Sequence, residues 1–205
     1  NMQLELEINL GSHKSVEVKF IQNQYLLFLN DIKWMGYKID DDNHELKETI
    51  SHYELSTGNV ITTGLGLGLT EQILLSKPEV KSLTVLEKSQ DLIDYHLLNS
   101  KWAKNPKLKM INTDASVYKG SCDTVLLYHY AHQEAMSILN NVKAISKNIK
   151  CETMWFWPLE SFIVKHSRKN NSSYLDGYKD LKARLNLTSL PELTEGQINK
   201  FCEVY

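Results

Sequence analysis

Three glycines at alternate positions, Gly64, Gly66 and Gly68, follow an apolar run at residues 60–63. A chain that turns sharply after a strand needs such residues, and a ligand can lie against backbone that carries no Cβ atom. Glu87 ends the next apolar run. A carboxylate at that distance from the glycines accepts hydrogen bonds from the hydroxyls of a ribose. These residues predict a nucleoside-binding site, against the alternative of a tight turn without a ligand.

A second group of chemically capable residues, Tyr128, His129 and His132, lies at the end of the apolar run that starts at Thr124. In open parallel sheets, ligands bind at the carboxyl ends of the strands. A histidine there can take a proton from a substrate because its ordinary pKa is near ~6.5. Tyr128 and His129 are the catalytic candidates, and His132 is assigned to the substrate. The alternative is that all three are polar residues at a sheet edge.

Apolar runs and helical patterns alternate from residue 59 onward, which predicts an α/β fold with a parallel sheet and flanking helices. The expected strand order is 3-2-1-4-5. The predicted strands are residues 60–63, 82–86, 108–112, 124–128 and 153–157, and the predicted helices are residues 70–76, 90–102 and 133–147.

Residues 1–40 alternate between apolar and polar side chains and contain turn residues, which predicts a small antiparallel β region. We expect residues 41–164 to form the nucleoside-binding domain. Residues 165–205 read as a helical extension that packs on it. They offer no pair of strands, so we expect the sheet to lack a C-terminal antiparallel hairpin.

Composition restricts the function classes. The formal net charge of -2 over 205 residues argues against nucleic-acid binding through bulk electrostatics, so a small-molecule acceptor is expected. No apolar run is long enough to span a membrane, and three widely spaced cysteines predict reduced thiols and no metal site. We expect a cytoplasmic protein, and a homodimer is left open.

The glycine spacing distinguishes between nucleosides. A dinucleotide fingerprint would require glycine where Leu69 stands, and the observed G-x-G-x-G resembles the Rossmann-type S-adenosylmethionine-dependent methyltransferases. Residues 111–115 resemble the segment of that superfamily that holds adenine. The resemblance implies S-adenosylmethionine as cofactor, with the glycines at its methionine portion, Glu87 at its ribose, and Asp114 with Ala115 at its adenine.

Within that superfamily, residues 25–128 are most similar to the spermidine synthase branch, on a strand, an acidic stretch and a helix with His52. Three positions depart from that branch. Tyr128 stands where the family has the carboxylate that deprotonates the attacking amine, Trp34 stands in place of a glutamine, and Thr62 in place of an acid before the glycines.

These departures favour a methyltransferase on a spermidine-synthase-like scaffold, with the acceptor entering over residues 128–132 and Trp34. Two alternatives stay open. The chain could transfer aminopropyl groups or otherwise consume S-adenosylmethionine, and Asp40 to Asp42 would suit a cationic substrate. It could also be a nucleoside-binding module without chemistry.

Overall fold

The structure is a computed structural model that describes residues 5–38, 44–129 and 134–203, and side chains throughout except at residues 44–49. The first elements form a four-stranded antiparallel sheet in the order β1-β2-β3-β4, which we call the small sheet. It confirms the antiparallel region that the alternating side chains predict. Its strands are β1 (Gly11–His13), β2 (Val16–Ile21), β3 (Gln24–Leu29) and β4 (Ile32–Lys38).

Two-residue turns join the last three strands of the small sheet. Gln22 and Asn23 connect β2 to β3, and Asn30 and Asp31 connect β3 to β4, all with φ between +50° and +63°. A pair of positive φ angles is the type I′ turn, whose twist matches that of the strands on either side. Asparagine and aspartate enter this region more readily than most residues.

The segment before β1 differs from the prediction. Residues 5–10 contain no strand, although their side chains alternate between apolar and polar, and the first strand starts only at Gly11. The backbone N–H of Glu7 donates to Gln72 Oε1 at 2.6 Å, and its carbonyl accepts from Gln72 Nε2 at 2.9 Å. The side chain of one glutamine, distant in sequence, therefore supplies the hydrogen bonds that a neighbouring strand would have given.

A five-stranded parallel sheet follows, in the order β7-β6-β5-β8-β9, which confirms the predicted order. Only β7 has the bounds that the sequence predicts; the other strands start earlier. The strands are β5 (Gly58–Thr63), β6 (Val80–Glu87), β7 (Leu108–Asn112), β8 (Gly120–Leu127) and β9 (Ile149–Phe156). The helices up to β9 are α1 (His44–Leu55), α2 (Leu69–Ser76), α3 (Gln90–Asn99) and α4 (Ala135–Asn148).

Burial explains why the strands of this sheet read as unbroken apolar runs. Val125, Leu126 and Leu127 are successive residues of β8 and all are fully buried, because helices cover both faces of a parallel sheet. The three-residue spacing of Met136, Leu139, Val142 and Ile145 predicts an apolar stripe on α4 that starts at Met136. The buried stripe starts later. Met136 is 66% exposed, and the buried stripe runs instead through Ile138, Val142 and Ile145.

Three helices complete the described chain: α5 (Leu159–Asn170), α6 (Tyr174–Leu185) and α7 (Glu195–Cys202). Residues 165–203 contain no strand, which confirms the expected end of the sheet. The open edge of β9 is partly covered, since Met154 N–H donates to the carbonyl of Ser189 at 2.8 Å. The domain boundary placed at residue 164 falls inside α5. The predicted nucleoside-binding domain and the predicted extension therefore share this helix.

Contacts with α3 fix the small sheet against the parallel sheet. The Ser15 hydroxyl donates to Asp91 at 2.6 Å, and Lys14 Nζ pairs with Asp94 at 3.1 Å. Asp91 and Asp94 lie on the same face of α3, which follows β6. The small sheet is thereby held beside the carboxyl end of β6, where Glu87 lies.

Within the three described ranges, no helix is long and apolar enough to cross a membrane. The same residues contain no cluster of histidine, cysteine or acidic side chains that could hold a metal ion. The three cysteines are all free thiols.

Candidate active site

A cavity of about 450 Å³ opens at the carboxyl ends of the parallel strands, between them and the small sheet. Its volume is in the range of sites that bind cofactors and drug-sized molecules. It lies at the point where the strand order reverses beside β5, the usual ligand position in such sheets. The residues used below that line it are Trp34, Met35, Tyr37, Tyr53, Gly64, Gly66, Glu87, Lys88, Asp114, Ala115, Tyr128, His129, Asn141 and Trp157.

The three glycines all adopt positive φ, but a different neighbour limits each of them. A Cβ atom on Gly68 would lie 2.1 Å from the Trp102 ring, and one on Gly66 would lie 2.5 Å from Met35 Sδ. Glycine at these two positions therefore leaves room for the side chains of Trp102 and Met35. The glycine spacing predicts space for a ligand but does not reveal this packing role.

His96 holds the glycine loop through a hydrogen bond to its backbone. Its Nε2 donates to the carbonyl of Gly66 at 2.9 Å, and its Nδ1 lies 3.2 Å from Ser100 Oγ. Burial lowers the pKa of His96 to about 4, so the ring is neutral at pH 7. One imidazole from α3 thus holds the loop in the shape that lines the cavity.

Glu87 lies at the end of β6, as predicted. A side chain at the end of a strand is expected to be partly exposed, but Glu87 is only 8% exposed. One carboxylate oxygen accepts from Leu65 N–H at 2.8 Å and the other from Ser89 N–H at 2.7 Å. Burial raises the pKa of this carboxyl, and these backbone hydrogen bonds act in the opposite direction. Glu87 therefore organises the glycine loop as well as lining the cavity.

Asp114 and Ala115 both line the cavity, close to the end of β6. The carboxylate of Asp114 pairs with Lys88 Nζ at 2.8 Å and accepts from the backbone and the hydroxyl of Ser116. These contacts, led by the one with Lys88, hold the pKa of Asp114 well below its usual range. Lys88, which the sequence argument overlooks, joins the two loops at this end of the cavity.

Tyr128 lies at the end of β8, and its hydroxyl is 2.7 Å from His52 Nδ1. The opposite nitrogen of His52 is 2.5 Å from Glu160 Oε1, at angles that do not make an aligned hydrogen bond. His52 and Glu160 are fully buried, and the Trp155 ring stacks on His52 at 4.6 Å. Burial raises the pKa of Tyr128 well above its ordinary value. The hydroxyl is thus tied into a buried network that joins α1, β8 and α5.

His129 lines the cavity between Thr63 and Asn141. Its Nδ1 is 2.5 Å from Thr63 Oγ1, and its Nε2 is 3.0 Å from Asn141 Oδ1. Burial lowers its pKa, so the ring is neutral at pH 7 and able to accept a proton. Thr63 is buried and Asn141 lines the cavity, so Nε2 is the nitrogen on the cavity side.

Trp34 lines the cavity from β4, and Trp157 lines it from the end of β9. Trp155, two residues before Trp157, is instead part of the core. His132 and the acidic stretch at residues 40–42 lie outside the described residues, so their assignments stay predictions.

Glu71, which sequence reasoning missed, is a fully buried acid of α2. Thr62 donates to its Oε1 at 3.3 Å, while its Oε2 has no hydrogen-bond partner. Burial raises the pKa of Glu71 to about 8. A carboxyl group from α2 therefore lies against Thr62, the position at which the resemblance to spermidine synthases implies an acid. Its only signal in the sequence is its place in the turn that follows the glycines.

No protein-family model matches the sequence, and a comparison with curated protein sequences finds no match. Among solved structures, a spermidine synthase in complex with the transition-state analogue AdoDATO is 14% identical over 74% of this chain and 56% of that chain, with a TM-score of 0.51. Spermidine synthase from Thermotoga maritima is 14% identical over 76% and 59% of the two chains, with a TM-score of 0.49. The N-methyltransferase NodS from Bradyrhizobium japonicum WM9, in complex with S-adenosyl-L-homocysteine, is 16% identical over 57% and 63%, with a TM-score of 0.43.

The chain has a Rossmann-like α/β fold, similar to that of the spermidine synthase in complex with AdoDATO. This confirms the resemblance at the level of architecture, since at such identities the likeness concerns the fold alone. The chain spans 56% and 59% of the lengths of the two spermidine synthases.

Proposed function

We propose that this chain binds S-adenosylmethionine and transfers its methyl group to a small-molecule acceptor. One observation carries the proposal: a single cavity joins the glycine loop, Glu87 and Asp114 with Ala115 to the residues at the ends of β8 and β9. The first set has the chemistry to hold a nucleoside. The second leaves room beside it for another molecule.

The glycine loop would hold the methionine portion, where the N-terminus of α2 favours a carboxylate. Glu87 would accept from the ribose hydroxyls on the lone pairs that Leu65 and Ser89 leave unused. Asp114 and Ala115 would contact the adenine. Lys88 would keep Asp114 in place from the side.

S-adenosylmethionine would supply an activated methyl group on a sulfonium centre. The protein has to align the acceptor and exclude water, and the small sheet serves both needs by covering the cavity. His129 would take the proton of the acceptor on Nε2, in the neutral tautomer that carries its hydrogen on Nδ1 and donates it to Thr63 Oγ1. Nε2 would then give up its contact with Asn141. Tyr128 would position the acceptor, since its hydroxyl is held by His52.

Aminopropyl transfer is the second candidate, which the likeness of the entry region to spermidine synthases favours. It would require a carboxylate near the attacking amine. The strand end offers the Tyr128 hydroxyl, which is bound to His52, in that place. A binding module without chemistry is the third candidate, and it would bind the nucleoside without turnover.

The test is calorimetric titration of S-adenosylmethionine into the protein and into Glu87→Gln. The substitution removes the charge from the contact with the ribose, which is expected to weaken binding by about 30-fold to 100-fold. It also weakens one of the two bonds to Leu65 and Ser89, so stability is expected to fall by about 1 to 3 kcal/mol. Folding is therefore checked by circular dichroism in the same samples.

The matched control is Glu79→Gln. Glu79 lies just before β6, at the opposite end of that strand from Glu87, and its side chain is exposed. Its affinity for S-adenosylmethionine should equal that of the unmodified protein. Equal affinity in Glu87→Gln would remove Glu87 from the site.

A further inference from the structure

Acidic and aromatic side chains line different sides of the cavity. Both carboxylates of the described lining, Glu87 and Asp114, lie at the ends of β6 and β7, on one side of β5. The five aromatic residues of that lining come from other elements: β4, the end of α1, and the ends of β8 and β9. They are Trp34, Tyr37, Tyr53, Tyr128 and Trp157.

The hydroxyls of two of these tyrosines are engaged within the protein, which leaves their rings to meet a ligand. The Tyr53 hydroxyl bonds to Thr70 at 2.9 Å, and the Tyr128 hydroxyl bonds to His52. The two rings meet edge to face with centroids 5.9 Å apart. This part of the cavity therefore presents aromatic surface, with His129 and Asn141 as its polar contacts.

Charge restricts what can bind there. The cofactor of the proposed function carries a positive sulfonium. Its repulsion of a second cation at short range is stronger than the attraction of an aromatic ring for that cation, so a cationic acceptor would need a carboxylate. The two described carboxylates in the lining already bind other groups, Glu87 to backbone N–H groups and Asp114 to Lys88. Aromatic rings attract flat aromatic molecules by stacked and edge-to-face contacts without any such compensation.

We propose that the acceptor is a flat aromatic molecule without positive charge, with a hydroxyl or an aromatic amine as the methylated group. Its ring lies among Trp34, Tyr53 and Trp157, and its nucleophilic atom is directed toward His129. On transfer, the oxygen or nitrogen of the acceptor forms the bond to the methyl carbon as the bond from carbon to sulfur breaks. The proton of the acceptor goes to His129, and the sulfur keeps the electron pair of the broken bond. This assignment rests on the proposed function.

The experiment compares 2-naphthol with decahydro-2-naphthol, its saturated counterpart of similar size, and with putrescine. Each is titrated into the protein saturated with S-adenosyl-L-homocysteine. We expect 2-naphthol to bind about tenfold more tightly than decahydro-2-naphthol. Putrescine is also titrated in the presence of S-adenosylmethionine, because only that nucleoside carries the sulfonium charge, and it is expected to bind more weakly than either naphthol with both nucleosides. Equal affinity for the two naphthols, or preference for putrescine, would overturn the aromatic assignment.

Variants locate the binding site. Trp34 is 38% exposed, so Trp34→Leu is expected to fold and to lose most of the preference for 2-naphthol, whereas Trp34→Phe should keep it. Phe20→Leu, an aromatic substitution in the same small sheet but outside the cavity lining, is the control and should change neither affinity. A preference for 2-naphthol that survives Trp34→Leu unchanged would contradict the proposed position.

The first titration separates this inference from the function on which it rests. If S-adenosyl-L-homocysteine itself does not bind, the proposed function fails. If it binds and the naphthols are not distinguished, the cofactor assignment stands and the aromatic acceptor is wrong.

Discussion

At the scale of single residues, the buried acid Glu71 makes the stability of the protein depend on pH. Its pKa is raised to about 8 from an ordinary 4.5, mainly by burial. Between these values the unfolded chain has released the proton that the folded protein retains, so stability is lost as pH rises through this window. The hydrogen bond from Thr62 lowers this pKa, and the charge of Glu87 raises it.

We therefore expect Glu71→Gln, which stays neutral in both states, to be more stable than the unmodified protein. The gain should be on the order of 2 to 3 kcal/mol at pH 7 and close to zero at pH 4. Urea unfolding at both pH values measures it. A gain that does not change with pH would show that Glu71 is ionised in the folded protein.

Residue-scale chemistry was only partly predictable. The positions of Gly64, Glu87 and Asp114 in the cavity follow from motif spacing, because a strand and the turn after it are local. The partners of Glu71 and His129 do not, since Thr62 and Asn141 reach them from elements that only the fold brings together. The expectation that Glu87 is partly exposed was wrong for the same reason, because the backbone N–H of Leu65, in the loop after another strand, bonds to its carboxylate.

At the scale of elements, the carboxyl end of α1 depends on one lysine. Lys77, just past α2, donates from Nζ to the carbonyls of Tyr53, Glu54 and Ser56 at 2.5, 2.9 and 2.8 Å. The last carbonyls of a helix lack partners within it, and a cation is favourable there. The capped turn carries Tyr53, which lines the cavity.

We expect Lys77→Met to lower the free energy of unfolding by about 1 to 3 kcal/mol, because three carbonyls lose a charged donor. The methionine keeps most of the apolar stem, so the loss reports on the hydrogen bonds. Lys81→Met, at an exposed position in β6, is the control for loss of a lysine charge. Equal stability of the two variants in urea unfolding would mean that the cap contributes nothing.

Element types were predictable where the periodicity was long and unambiguous. The strand order and the end of the sheet followed from alternation and from the helical pattern of the C-terminal residues. Residues 5–10 have the alternation of a strand but pair with the side chain of Gln72, a contact that no local pattern encodes. The start of the α4 stripe was misplaced at Met136 because spacing alone does not show where a helix first meets the sheet.

At the scale of the whole molecule, the small sheet and the parallel sheet enclose one cavity. Met35 approaches Gly66 from the small sheet, and Ser15 and Lys14 join that sheet to α3. The cofactor half of the cavity is expected to recognise a complete methionine. The backbone N–H groups at the start of α2 suit its carboxylate, and the two carboxylates of the described lining already bind other groups.

Calorimetric titration of the unmodified protein with three nucleosides tests whether S-adenosylmethionine is the cofactor. The three are S-adenosylmethionine, its decarboxylated form, and methylthioadenosine. S-adenosylmethionine should bind most tightly, because only it carries the methionine carboxylate. We expect a preference of about tenfold or more over each of the others, which corresponds to one charge-assisted contact. Tighter binding of decarboxylated S-adenosylmethionine, or no binding of any of the three, would show that S-adenosylmethionine is not the cofactor.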